Sequence, residues 1–144
     1  MTDELVPLPL TERSWLLRSK VNPFPVGGEL RWDGAVLSFT CRADAADSFH
    51  GWVAELIGMD ADQMKSDLQA GRPIELFALH TGEFEARWPR IMGGAAIEVI
   101  DRPRGLRWLV SLDYPSSGGL LSVLNLISGR QKARLWKTAL AAAG

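Results

Sequence analysis

Apolar and polar positions alternate with period two over several stretches of the chain, and that period sends successive side chains to opposite faces of a β-strand. Residues 14–21 carry Trp15, Leu17 and Val21 among polar neighbours and stop at Asn22-Pro23-Phe24-Pro25, where two prolines halt strand pairing. Residues 28–32 and 35–41 flank Asp33-Gly34, a dipeptide suited to the positive φ angles of a type I′ hairpin turn. Leu30 and Trp32 share one face of the first arm, and Leu37, Phe39 and Cys41 share one face of the second. Residues 74–80 and 83–89 meet at Thr81-Gly82, with Phe84, Ala86 and Trp88 alternating with the wet face of Glu83, Glu85 and Arg87. Residues 95–100 and 106–112 meet across Arg102-Pro103-Arg104-Gly105, with Leu106, Trp108, Val110 and Leu112 on one face. The last four segments predict two consecutive hairpins.

Helix signals appear in three places. Phe49, Trp52, Val53, Leu56 and Ile57 fall at i, i+3, i+4, i+7 and i+8, the stripe of a helix that Asp44 or Asp47 can cap and Gly58 can stop. Asp60 with Gln63 three residues on has the form of a capping box, and Gly71-Arg72-Pro73 closes a second helix whose apolar face is only Met64 and Leu68. Residues 120–142 contain no proline, begin after Ser/Gly and are rich in helix formers, which predicts a closing helix that Gly129 can bend at a cost of about 1 kcal/mol. Residues 1–13, with Pro7 and Pro9, hold no steady period and read as an extended arm ahead of a single domain over 14–144.

The order is three strands, two helices, four strands and one long helix, in a chain too short for parallel βαβ units, so an antiparallel α+β architecture is expected. Six tryptophans suit a strongly curved seven-stranded sheet with an opening that a helix plugs. An apolar fraction of 47% with 23% charged residues is close to the globular average, which excludes disordered and fibrous classes. A net charge of −1 argues against a nucleic-acid binder acting through a protein-wide positive field. The total hides a gradient: residues 1–40 hold four basic and five acidic groups, 41–101 five and eleven, and 102–144 seven and one, so the C-terminal part is the basic pole. The single cysteine, Cys41, rules out an intramolecular disulfide, and with an acidic Met1-Thr2-Asp3-Glu4 start and no apolar run of about 20 residues the expectation is a cytoplasmic protein with no transmembrane segment.

Seven antiparallel strands ending in one helix is a build that resembles the pleckstrin-homology-like superfamily. The run Val26-Gly27-Gly28-Glu29-Leu30-Arg31-Trp32-Asp33-Gly34-Ala35-Val36-Leu37-Ser38-Phe39-Thr40 looks like the early hairpin of its GRAM-type and bacterial members, and Trp136 is similar to the tryptophan such domains pack against their sheet. The resemblance implies a partly open barrel, with a two-helix insertion after strand 3 and a C-terminal capping helix, whose work is contact rather than catalysis. Two departures narrow it. The two helices interrupt the strand order, and the first inter-strand loop offers Lys20, Asn22, Pro23, Phe24 and Pro25 with no arginine from Lys20 until Arg31. Inositol-phosphate recognition needs several convergent cationic donors, so that activity is not expected.

Candidate chemistry concentrates in the closing helix. Leu120, Leu121, Val123, Leu124, Leu126 and Ile127 surround their turns on nearly all sides and must be covered by something. Arg130, Lys132, Arg134 and Lys137 follow with no acid between them, and Arg102, Arg104 and Arg107 extend the patch if their turn lies beside the helix. The ordinary reading is buried leucine with solvated charge near the negative helix end; the functional reading is contact with an anionic membrane or an acidic partner. Cys41, His50 and His80 are the only soft or imidazole groups, and neither zinc spacing nor a nucleophile motif unites them. Gly27-Gly28 and Gly93-Gly94 read as turn or bulge positions rather than a phosphate loop, and Asp60, Asp62 and Asp67 match no calcium loop. The expectation is a non-enzymatic module without cofactor or metal, meeting a protein or peptide through a strand edge or a membrane surface through the closing helix. The alternative is a carrier or sensor holding a small apolar ligand between sheet and C-terminal helix.

Overall fold

The computed structural model describes residues 7–19, 24–42, 50–90, 95–112 and 120–141, with the backbone alone for His50 and for 120–129. Along the chain come β1 (Leu10–Leu17), β2 (Val26–Trp32), β3 (Val36–Cys41), α1 (His50–Ile57), α2 (Ala61–Gln69), β4 (Ile74–His80), β5 (Phe84–Arg87), β6 (Ala96–Asp101), β7 (Leu106–Ser111) and α3 (Leu120–Ala141). The strands form one antiparallel seven-stranded sheet in the order β4-β3-β2-β1-β7-β6-β5, which does not close.

β2 and β3 pair from Gly28 opposite Cys41 to Trp32 opposite Leu37, because both arms turn an unbroken apolar set inward. Their turn differs from the I′ form. Asp33 N–H donates to the Val36 carbonyl at 3.3 Å, so Gly34 and Ala35 are the central pair, and only Gly34 takes a positive φ, 98°. That is the geometry of a II′-like turn with glycine first. Asp33 acts one position earlier, its Oδ1 accepting Ala35 N–H at 2.9 Å and Val36 N–H at 2.8 Å.

β1 begins four residues before the predicted start, and Leu10 to Arg13 pair with Trp32 to Glu29 rather than forming part of an arm. Its sequence signal is masked because Glu12 and Ser14 share a face with Leu16; Ser14 is fully buried and its hydroxyl donates to the Glu12 carbonyl at 3.2 Å. β4 keeps its predicted bounds, but it does not pair with β5. The two lie at opposite ends of the sheet, so the predicted β4–β5 hairpin is replaced by a corner. Thr81 N–H stays with β3 through the Ala35 carbonyl at 3.0 Å, while the Glu83 carbonyl already accepts Arg102 N–H at 3.0 Å beside β6.

Gly58 and Gly71 end α1 and α2 with φ of 70° and 79°. In each, the following N–H reaches back to close the last turn, Met59 to the Ala54 carbonyl and Arg72 to the Asp67 carbonyl, both at 2.9 Å. Asp60 caps α2 through Asp62 N–H at 3.0 Å, but Gln63 turns away to donate to Asp67, leaving the capping box half formed. The caps expected at Asp44 and Asp47, and Phe49, lie outside the described residues.

The core gathers Leu16, Leu30, Trp32, Leu37, Phe39, Phe77, Val99, Trp108 and Val110 from the sheet, Val53 from α1, Met64 and Leu68 from α2, and Ala133, Trp136 and Leu140 from α3. Phe39, Phe77 and Trp108 form an aromatic chain with centroids 6.2 and 5.3 Å apart, and Trp32 meets Phe84 edge-on at 5.8 Å. Gly27 and Gly28 sit inside β2, not at a turn; the Phe39 ring lies so close over Gly28 that no side chain fits there.

Candidate functional site

An open sheet has two edges, and each exposes backbone groups that pair with a further strand unless something prevents it. Here the edges are treated differently. On β4, the register against β3 slips between Phe39 and Thr40, so Leu76 is an extra, bulged residue. Its carbonyl accepts Arg104 Nη2 at 2.9 Å from the turn between β6 and β7. Further along, His80 N–H is taken by the Glu83 carboxylate at 2.8 Å.

Arg104 is aimed by a buried acid. Asp101, fully buried, accepts Arg104 N–H at 3.1 Å and the Trp108 indole N–H at 3.2 Å, and forms an ion pair with Arg104 Nε at 3.1 Å. The guanidinium also lies 5.8 Å from the Trp108 ring centroid. Asp101, Arg104 and Trp108 therefore tie the β6–β7 turn to the edge of β4, where the backbone ladder is absent.

β5 ends the other side of the sheet, paired to β6 and, among the described residues, to no other strand. Phe84, Ala86 and Trp88 are half-buried rather than buried, because they line a cleft of about 460 Å³ with Thr81, Gly82 and the end of α3 at Lys137, Leu140 and Ala141. Lys137 Nζ sits 5.3 Å from the Trp88 ring centroid, placing a positive charge at an otherwise apolar groove. On the strand's other face Arg87 pairs with Glu85 at 3.2 Å.

A second cleft, of about 530 Å³, separates α1 from the end of β1 and the start of β7. Leu17, Arg18, Trp52, Glu55, Leu56, Arg107, Trp108 and Leu109 line it.

The basic residues singled out by the charge gradient are spread among several places. Arg102 donates to the Gly82 carbonyl at 3.2 Å, Arg104 serves the β4 edge, Arg107 lines the cleft beside α1, and Lys137 lines the cleft beside β5. Lys132 reaches the Leu112 carbonyl at 3.4 Å and Glu12 at 3.9 Å. Arg130 and Arg134 are exposed on α3, and the side chains of Leu120 and Leu121 lie outside the described residues. Cys41 is buried opposite Ile74 and His80 is exposed opposite Val36, the two ends of the β3–β4 ladder, roughly 17 Å apart at strand spacing. His50 starts α1 and its side chain is not among those described. Among the described residues no group of three or more His, Cys, Asp or Glu side chains is placed to hold a metal ion, and no helix is long and apolar enough to cross a membrane. The Asp33 carboxyl is held below its usual range, chiefly by the Val36 N–H and then the Ala35 N–H it accepts.

Sequence reasoning misses Asp101 as an organiser. The available signal is an acid at the strand end before Arg-Pro-Arg-Gly, the position from which aspartate accepts the N–H of a following turn. It also misses the cleft beside α1, whose lining residues come from three distant segments. No protein-family model matches the chain, and no curated protein matches it at a significant level.

Proposed function

We propose that this protein is a non-enzymatic, pleckstrin-homology-like interaction module that takes an extended peptide of a partner protein along β5. The strand order, the single long helix after β7 and the buried Trp136 support the superfamily reading. The carrying observation is the difference between the two sheet edges: β4 is bulged and occupied by Arg104 and Glu83, whereas β5 borders an apolar cleft. A peptide adding as a strand gains main-chain hydrogen bonds from β5 and sets alternate side chains into the groove of Phe84, Ala86, Trp88 and Leu140. Lys137 at the rim favours an acidic residue next to the apolar one.

Peptide display against the whole protein tests this reading. The expected outcome is selection of segments with an apolar residue beside an acid, amide shifts on binding confined to residues 84–88 and 137–141, and loss of binding in Ala86→Trp and Lys137→Glu. Selected peptides that leave those amides unmoved overturn it. The membrane alternative predicts instead a salt-sensitive co-sedimentation with anionic vesicles that disappears when Arg130, Lys132 and Arg134 are reversed. The carrier alternative predicts a bound small molecule in the native mass spectrum of freshly purified protein.

A further inference from the structure

The cleft beside α1 lies outside the peptide reading, and it joins an apolar floor to a charged rim. Its floor is made of side chains that water hardly reaches elsewhere, Leu17 at 3% and Trp108 at 1% exposure, with half-buried Leu109. Its wall is α1, where Val53 is fully buried but Leu56 on the same apolar stripe remains 41% exposed. The helix stripe is thus wider than the surface that the described residues cover. Trp52 is fixed in this wall by its indole N–H, which donates to the Phe24 carbonyl at 3.0 Å. Phe24 holds a left-handed φ of 36°, an unfavourable conformation for a bulky residue that persists only where surroundings enforce it.

The rim carries charge of one sign in excess. Arg18 and Arg107 face one acid, Glu55, and none of the three has an ion-pair partner among the described residues. Arg18 stacks over Phe24 at 5.8 Å, which fixes its guanidinium beside the opening. Two guanidiniums without an ion-pair partner among the described residues, over an apolar floor and in a volume within the usual range of roughly 300–1,000 Å³ for ligand sites, are complementary to one kind of molecule. We propose that this cleft binds a small amphipathic organic anion, its carboxylate held between Arg18 and Arg107 and its apolar body lying against Leu17, Trp52, Leu56 and Leu109. Glu55 makes the site selective for a single negative charge, since a polyanion would meet its carboxylate.

Decanoate, decanol and decyltrimethylammonium, titrated below their micellar concentrations into the full chain, test the assignment by calorimetry and amide-shift mapping. Decanoate is expected to bind about tenfold or more tightly than decanol, with no binding of the cation and with shifts at Leu17, Arg18, residues 52–56 and residues 107–109. Arg107→Glu should weaken decanoate at least about tenfold, whereas Glu55→Gln should tighten it by about threefold. A gain of affinity on removing a charged side chain is an outcome that misfolding does not produce. Lys65→Glu, exposed on α2 and outside the cleft, serves as the unchanged control. No decanoate binding, equal affinity for decanol, Arg107→Glu or Glu55→Gln without effect, or shifts located at residues 84–88 would each overturn the proposal.

Discussion

Replacing Asp101 with alanine removes the acceptor on which the fastening of β4 to the β6–β7 turn depends, and the cost can be assembled from its partners. Trp108 is 1% exposed, so its indole N–H, now without Asp101, becomes a buried unsatisfied donor costing about 1–3 kcal/mol. The Arg104 side chain is 40% exposed and can turn to water, so the lost ion pair adds only about 1 kcal/mol rather than the larger penalty of a fully buried pair. The released guanidinium also loses its aim at the Leu76 carbonyl. The sum is about 3 kcal/mol, which for a chain of this size lowers Tm by roughly 6–12 °C. Asp101→Asn keeps an acceptor for the indole and should cost about 1 kcal/mol. Urea unfolding followed by circular dichroism, with Trp108→Phe as the second arm of a double-mutant cycle, measures the indole's share. In a Trp108→Phe background the donor is gone, and Asp101→Ala should cost about 1–2 kcal/mol less than in the parent chain. A cost below about 0.5 kcal/mol for Asp101→Ala, or costs that simply add in the cycle, refutes the fastening.

Three further outcomes are expected. Gly28→Ala places a Cβ against the Thr40 carbonyl and 2.7 Å from the Phe39 ring, an overpacking worth about 2–3 kcal/mol, visible as a lower urea midpoint; an unchanged midpoint contradicts the close approach. Trp136→Ala vacates a fully buried site and should cost about 3–5 kcal/mol, again by urea unfolding, and a near-neutral result would mean that α3 is not part of the core. The lowered pKa of Asp33 means that its carboxylate stabilises the hairpin above the unfolded carboxylate range and that this contribution is lost as pH falls through the folded value. Asp33→Ala should therefore destabilise at neutral pH and make no difference in strong acid, read from stability curves at the two conditions; an equal effect at both removes the charge from the explanation.

What the sequence makes legible follows from how local each determinant is. The β2–β3 hairpin and α2 are readable because alternation, cap and terminating glycine all lie within a few residues of one another. The first half of β1 is not, because Glu12 and Ser14 interrupt its inner face; Ser14 is satisfied locally by the Glu12 carbonyl, but half-buried Glu12 meets Lys132, a partner from α3 that only the folded chain supplies. Thr81-Gly82 has the composition of a hairpin turn, yet the strands on either side choose different partners. Pairing is decided by β3 and β6, which lie far from the turn in sequence. Charge counting groups Arg107 with the closing helix, whereas its strand carries it to the opposite cleft beside α1. Neither cleft can be read from a local pattern, since each is assembled from segments that meet only through the sheet order.

The same non-local logic links stability to the proposed binding surface. A seven-stranded sheet that stops short of closure must protect two edges from pairing with other molecules, and the means differ in what they leave available. On β4 the protection is specific: a bulge disturbs the ladder and an arginine held by a buried aspartate occupies the carbonyl it exposes. On β5, among the described residues, it is only shortness, four residues with a neutralised Glu85–Arg87 pair on the outer face. Shortness deters a long, flat strand from stacking but admits a segment of four or five residues that brings its own side-chain anchors. The apolar groove of Phe84, Trp88 and Leu140 offers a place for such an anchor. An edge closed by side chains and an edge guarded by brevity are therefore not equivalent, and it is on this asymmetry that the proposed docking of a partner strand along β5 rests.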